Sequence, residues 1–274
     1  MKEFGQLSTM EELKEFLETK GKGHKWYFHY TTLDTLQKML GGRKLHLTRM
    51  DKLNDARECN AAVNRKKLVY VASFSFGTAE SMAMWSMYGA PYKSGIRLTI
   101  PGRAITKLLK DFEKDPVVCS AKTGKRFSCK GTPVLKIMDV VYAHPFSLER
   151  CREKLLRKQG KFVVDAKNDP ELAFYVKNEI WLSENETRIV LELENELPGN
   201  EETIAIDFGS AVDELEVTGS PCLDPNELKR QLKNFEEGKI HRSIAYNQVY
   251  FNACEDCDQK SAYCKANKKT KRHE

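Results

Sequence analysis

The stretch KWYFHYTTLDTLQKMLGGRKLHLT, residues 25–48, predicts a strand, a helix and a second strand in direct succession. Aromatic and β-branched residues favour a strand over residues 25–30, and Thr31 or Thr32 is suited to cap the helix that follows. That helix has an apolar face at helical spacing, formed by Leu33, Leu36, Met39 and Leu40. A glycine pair ends it, and the alternating KLHLT predicts the next strand. His29 and Tyr30 therefore lie where a strand gives way to a helix.

The rest of the chain mixes helices and strands without the regular alternation of a doubly wound fold. Further helices are predicted at residues 9–20, where Ser8 and Glu11 fit a capping box, at 147–158, at 169–181 and after Asp224. Strands are predicted at residues 68–76, 94–100, 133–142, 187–197, 203–208 and 243–251. We infer the α+β class, with one mixed domain over residues 1–252 and a cysteine-containing basic tail over residues 253–274.

The composition favours a folded, water-soluble chain. Its 274 residues are 41% hydrophobic, which is enough for a core, and no apolar run approaches the ~20 residues that cross a bilayer. The N-terminal residues are typical of a polar helix start rather than of a signal peptide. We therefore expect a cytoplasmic protein without a membrane partner, in which the eight cysteines are reduced thiols.

Most of the net charge of +6 lies at the C-terminus. The last ten residues, KANKKTKRHE, hold five Lys or Arg and one Glu, so the rest of the chain is nearly neutral. Such a tail can contact the phosphates of a nucleic acid, or serve only as a solubilising segment. Cys254, Cys257 and Cys264 include a C-x-x-C pair, but with His273 their spacing fits no common zinc finger. We expect no metal, with structural zinc as the less favoured alternative, and make no prediction of oligomeric state.

The segment SENETRIVLEL, residues 183–193, is the most specific candidate for a catalytic site. Along a strand, Glu184, Glu186 and Arg188 share one face, and the two carboxylates repel each other there. A solvated outer face explains this pattern equally well. The functional alternative is a reaction at a sugar, in which a carboxylate binds a ribose hydroxyl and stabilises a developing oxocarbenium ion. The signatures of Rossmann, P-loop, hydrolase-elbow and zincin enzymes are missing from the sequence.

The opening stretch and the acidic segment together resemble a known family. FHYTTLDTLQKML, LNDARE, MWSMYGAPYKSGIRL and KNEIWLSENETRI occur in the order found in the bacterial and phage family catalogued as domain of unknown function 2971, over residues 26–190. Ala56 stands where that family usually has proline, and APYKSG replaces a loop that commonly carries a histidine. The family is in turn similar, more remotely, to the ADP-ribosyltransferase fold. The resemblance implies a centrally split, mostly antiparallel β-sheet flanked by helices.

This resemblance implies that NAD is bound by residues of the first and third motifs. His29 would hydrogen-bond the adenosine-side ribose or the nearby backbone, and Tyr30 and Thr31 would shape the same edge of the cleft. A histidine beside a helix N-terminus suits a ligand that is both hydroxyl-rich and anionic. Tyr88, or else Tyr92, would stack on nicotinamide, although both tyrosines fit equally well as packing residues.

The resemblance also implies roles for the acidic segment. Glu186 would steady the ribosyl cation through the 2′-hydroxyl, and Glu184 would orient or deprotonate the acceptor. Arg188 would partly neutralise the two carboxylates and belong to the NAD site.

We therefore expect an ADP-ribosyltransferase-like enzyme with NAD as co-substrate. Its acceptor is a protein or a nucleic acid, and its setting is phage–host conflict or the action of a toxin. With water as the acceptor, the enzyme is a NAD glycohydrolase. The non-catalytic alternatives are a nucleic-acid-binding or toxin-partner module that uses the basic tail, and a structural domain that keeps the fold without the chemistry.

Overall fold

The computed structural model describes residue 7 and residues 9–54, 65–77, 80–89, 94–143, 152–157, 160–165 and 174–245. Their fold is a mixed α+β arrangement, in which a mostly antiparallel sheet is flanked by helices, and the predicted class is confirmed. No helix in these ranges has the length and apolar character needed to span a membrane.

The described residues form five α-helices, fourteen strands and four 3₁₀-helices. The α-helices are α1 (Met10–Gly23), α2 (Leu33–Gly42), α3 (Met82–Tyr88), α4 (Gly102–Lys114) and α5 (Pro225–Gln231). The strands are β1 (Trp26–Thr32), β2 (Lys44–Arg49), β3 (Val69–Ser75), β4 (Gly95–Pro101), β5 (Val118–Ser120), β6 (Val134–Asp139), β7 (Val141–Ala143), β8 (Arg152–Arg157), β9 (Gly160–Asp165), β10 (Val176–Asn178), β11 (Glu186–Glu192), β12 (Thr203–Asp207), β13 (Glu216–Gly219) and β14 (Ile240–Arg242). The 3₁₀-helices are Met50–Lys52, Glu179–Glu184, Gly209–Glu214 and Glu237–Lys239.

The opening stretch forms the predicted strand–helix–strand unit, β1–α2–β2. The Thr32 hydroxyl accepts a 3.3 Å hydrogen bond from the amide of Thr35 and so caps α2. The helix buries Leu33, Leu36 and Met39 and ends at Arg43, whose backbone is left-handed with φ 49°. This connection carries the chain from β1 to β2, two strands that do not pair with each other.

The large sheet forks at β3. One edge of β3 pairs with β11 along its whole length. The other edge is shared, because β2 pairs with it at Tyr70 and Val71, whereas β1 pairs with it at Ser75 alone. The strands β1 and β2 therefore diverge beside residues 72–74, and a cleft opens between them. Beyond β1 the sheet continues through β4, β13 and β14, and beyond β2 it continues through β12 and β5.

The main core lies between the sheet and the helices α2 and α4. Helix α4 buries Ala104, Ile105, Leu108 and Phe112 there, and burying a large apolar side chain contributes about 1.5–3 kcal/mol. Helix α1 lies against β6 so closely that a Cβ on Gly21 would come within 2.7 Å of the Met138 Cα. A separate small cluster packs α3 onto β1 through Met84, Trp85, Phe28 and Tyr30. The fork is thus held by a core on one side and by α3 on the other.

Several segments differ from the sequence prediction. Residues 152–157, predicted as part of a helix, form β8 and pair with β9, because a partner strand rich in β-branched residues outweighs local helix propensity. Residues 176–181, also predicted as helix, form β10 and the start of a 3₁₀-helix. The cap of α1 is Thr9 rather than Ser8, and this helix continues to Gly23. Residues 243–245, the described part of the last predicted strand, are not in a strand, and β14 ends just before them.

Other predictions agree with the structure or fall outside it. Asp224 caps α5 as predicted, and Cys119, Cys129 and Cys222 are free thiols. The domain boundary at residue 252, the cysteines of the C-terminal segment and the basic tail lie outside the described residues.

Candidate functional site

A cavity of about 290 Å³ opens at the fork of the sheet. Its walls come from β1, β2, β3, α3, β10, β11, the 3₁₀-helix Glu179–Glu184 and the segment that follows β2. The lining residues are Phe28, His29, Tyr30, Thr48, Lys52, Leu53, Asn54, Ser73, Phe74, Ser75, Met84, Tyr88, Lys177, Trp181, Glu184, Glu186 and Arg188. Six of the eight site residues predicted from the sequence therefore line one cavity. Thr31 is not among the lining residues, and Tyr92 lies outside the described ones.

The two glutamates reach the cavity from different elements. Glu184 ends a 3₁₀-helix, Asn185 turns the chain in a left-handed conformation with φ 43°, and Glu186 begins β11. The prediction that both glutamates lie along one strand is therefore wrong, because the chain turns between them. The side chains nevertheless converge, and both residues are only 3% exposed. Arg188 is 1% exposed, so the alternative of a solvated outer face does not apply to this segment.

Lys177, on β10, joins the two carboxylates. Its Nζ lies 2.5 Å from Oε2 of Glu184 and 3.2 Å from Oε2 of Glu186. The same ammonium is 4.8 Å from the centre of the Trp181 ring, within the range of a cation–π interaction. A buried ammonium between two buried carboxylates removes most of the repulsion that the sequence predicted for them.

Arg188 holds Glu186 by a two-point contact. Its Nε donates to Oε1 at 2.7 Å and its Nη2 donates to Oε2 at 3.0 Å, while Nη1 donates to the Phe174 carbonyl at 2.9 Å. Burial alone would raise the pKa of Glu186, but the Arg188 guanidinium, with Lys177 and the Ser73 hydroxyl, outweighs burial and lowers the pKa well below its usual range. Glu186 is therefore an anion at all physiological pH values.

Glu184 has a different environment. Oε1 accepts a 2.7 Å hydrogen bond from the Tyr88 hydroxyl, and Oε2 contacts Lys177. Burial raises the pKa of Glu184, and the contacts with Lys177 and Tyr88 oppose this rise only in part. The pair thus combines a permanent anion with a carboxyl group whose proton affinity is increased, and this separation of roles is typical of acid–base sites.

His29 hydrogen-bonds to β3 where the strand has no backbone partner on the side of β1 and β2. Its Nδ1 donates a 2.9 Å hydrogen bond to the Ser73 carbonyl, which lies in the part of β3 that neither β1 nor β2 pairs with. Burial lowers the pKa of His29, so the ring is neutral at pH 7. Because Nδ1 carries the hydrogen, Nε2 is an acceptor, and it makes no hydrogen bond to any residue in the described ranges.

Tyr30 and Thr32 make hydrogen bonds that stabilise the structure beside the cavity. The Tyr30 hydroxyl accepts a 3.0 Å hydrogen bond from the Ser81 amide, and its ring meets Trp85 edge to face at 4.9 Å. The first amide of α2, on Leu33, already donates to the Ser94 carbonyl, and the amide of Thr35 donates to Thr32. Two of the amides that were expected to attract an anion at this helix N-terminus are therefore in use.

Lys177 and Trp181 are site residues that the sequence analysis did not assign. Both lie in the segment predicted as helix, where a lysine has the ordinary appearance of a solvated surface residue. A usable signal was present, because two neighbouring glutamates with one arginine left a negative charge that needed a second cation.

Comparison with known proteins finds no matching family model, no matching curated protein and no matching solved structure.

Proposed function

We propose that this protein cleaves NAD at the nicotinamide–ribose bond and transfers the ADP-ribosyl group to an acceptor. The observation that carries the proposal is the meeting of His29, Glu184 and Glu186 in one cavity at the fork of a mostly antiparallel sheet. The acceptor is a protein, a nucleic acid or water, and the biological setting is that of a phage-conflict factor or toxin.

The size and lining of the cavity support binding of one end of NAD. Small-molecule pockets span about 300–1,000 Å³, so a cavity of about 290 Å³ suits the nicotinamide nucleoside rather than the whole dinucleotide. Tyr88 and Trp181 offer aromatic rings to the nicotinamide. His29 offers a neutral Nε2 acceptor to a ribose hydroxyl.

The proposed reaction assigns the two carboxylates to different steps. The bond between C1′ of the ribose and the nicotinamide nitrogen breaks, and nicotinamide leaves with the electron pair. The permanent negative charge of Glu186 stabilises the ribosyl cation as it develops. A lone pair of the acceptor then forms a bond to C1′, and the acceptor proton passes to Glu184, whose raised pKa suits a proton acceptor.

The test is release of nicotinamide from NAD by the purified full chain, measured by chromatography. Radiolabelled NAD with protein, nucleic acid or no added acceptor then separates the acceptor classes, since the label stays with protein, with nucleic acid or in free ADP-ribose. The control is the variant that carries Glu184→Gln and Glu186→Gln together. Equal nicotinamide release by this variant and the native chain would remove the proposal.

A further inference from the structure

Lys177 is the least expected member of the cavity. It is 6% exposed, lies on a strand of three residues, and touches both glutamates although it precedes them by seven and nine residues in the chain. A lysine buries its charge only at a cost, which the two carboxylates offset. The burial of Lys177 is therefore explained by its contacts with Glu184 and Glu186.

The two contacts of Lys177 differ in length. The ammonium is 2.5 Å from Glu184 and 3.2 Å from Glu186. Without Lys177, Glu186 would still have its two-point contact with Arg188. Among the described residues, Lys177 is the one cation that contacts Glu184. Loss of Lys177 thus affects the charge state of Glu184 more than that of Glu186.

We infer that Lys177 is the positioning residue of this site, which holds the two carboxylates side by side and keeps Glu184 ionised so that it can accept a proton. The longer contact, to Glu186, is the one that a ligand hydroxyl replaces, after which the ammonium stays with Glu184. The catalytic meaning of this inference rests on the proposed function, whereas the charge arrangement does not.

Several charged or titratable groups face Glu184 besides Lys177. They come from four other elements and from the segment after β2, and they are Tyr88 on α3, His29 on β1, Tyr142 on β7, Glu186 and Arg188 on β11, and Lys52. His29 is neutral and Arg188 is engaged by Glu186, while Lys52 is paired with Glu202 at 2.6 Å. None of them offers Glu184 a substitute for the Lys177 ammonium.

The test compares Lys177→Met, Lys177→Arg and the control Lys229→Met in thermal unfolding at pH 5 and pH 8. Lys229 is half-exposed and paired with Glu237, far from either glutamate in the chain. Removal of a buried partner should lower the Tm of Lys177→Met by about 10 °C at pH 8. The loss should be smaller at pH 5, because Glu184 without its cation takes up a proton there. Lys177→Arg should recover most of the loss, and Lys229→Met should change the Tm little at either pH.

A second variant and a second measurement keep the inference testable if Lys177→Met does not fold. The double variant Lys177→Met with Glu184→Gln removes both charges and should regain most of the lost Tm. In the pH profile of ADP-ribosyl transfer to the acceptor, the acidic limb should move to higher pH in Lys177→Met and return in Lys177→Arg. Equal Tm losses at pH 5 and pH 8, or no gain in the double variant, would overturn the inference. The Tm measurements need no NAD, so a chain that shows them but releases no nicotinamide refutes the proposed function alone.

Discussion

The Tyr88 hydroxyl donates a 2.7 Å hydrogen bond to Oε1 of Glu184, a residue 96 positions later in the chain. This bond connects α3, which packs on β1, with the 3₁₀-helix that precedes β11. The two sides of the cavity are therefore linked through the carboxylate that is proposed to accept a proton.

Tyr88→Phe removes the hydroxyl and keeps the ring. If the ring stacks on nicotinamide, this variant should bind NAD as the native chain does. It should transfer the ADP-ribosyl group to the acceptor about 10-fold more slowly, since the ionised Glu184 loses one hydrogen bond. Calorimetry and initial rates measure the two effects. Tyr88→Ala should show both weaker NAD binding and a slower reaction. If Tyr88→Phe and Tyr88→Ala lose NAD binding equally, NAD contacts the hydroxyl rather than the ring.

Glu186→Gln keeps the shape of the side chain and removes its charge. Turnover should fall by ~100-fold or more, the scale expected for the loss of one electrostatic contact in a transition state. Arg188 also loses its buried counter-charge, so the free energy of unfolding should fall by about 3–5 kcal/mol. Denaturant unfolding measures this cost, and activity must be compared well below the Tm of the variant. Glu216→Gln, in a half-exposed contact with His241, is the control and should change neither property much.

Glu184 and Glu186 should contribute to the stability of the protein with opposite dependences on pH. The pKa of Glu186 is lowered in the folded protein, so its contribution is complete above the unfolded-state value near 4.5 and is lost as the pH falls toward 2. The pKa of Glu184 is raised, so its contribution is present below about 4.5 and is lost as the pH rises through the folded-state value. The Tm difference between native chain and variant should therefore grow with pH for Glu186→Gln and shrink with pH for Glu184→Gln. Slopes of the same sign would show that one of these two environments is misassigned.

His29→Ala should leave the Ser73 carbonyl without its partner. The expected loss in unfolding free energy is about 1–3 kcal/mol, and the affinity for NAD should fall with it. His46→Ala is a matched control, because His46 is a half-buried histidine on β2 that does not line the cavity. Denaturant unfolding and calorimetry report the two quantities. If both variants lose the same stability and keep full NAD affinity, His29 is a packing residue only.

The parts of the structure that follow from local pattern were predictable from the sequence. The β1–α2–β2 unit and the Thr32 and Asp224 caps each carry their signal within a few residues. The incorrect predictions concern residues whose structure depends on contacts with residues distant in the sequence. β8 is a strand because it pairs with β9. Lys177 is a site residue because the turn at Asn185 brings the side chains of Glu184 and Glu186 together beside it. The charge of the acidic segment indicates that a second cation is needed, but no single stretch of sequence shows that this cation is Lys177 or that β9 pairs with β8.

The fork also leaves a side chain at a place where two neighbouring strands would otherwise pair through their backbones. One backbone pair, Phe28 with Ser75, joins β1 to β3, and beside it the imidazole of His29 donates to the Ser73 carbonyl. β1 pairs with β4 along its whole length, whereas beside residues 72–74 its link to β3 is the side-chain hydrogen bond of His29 rather than main-chain pairing. A smaller or larger side chain at residue 29 would therefore alter the width of the cleft beside Ser73 while the backbone pairing of β1 with β4 stays intact.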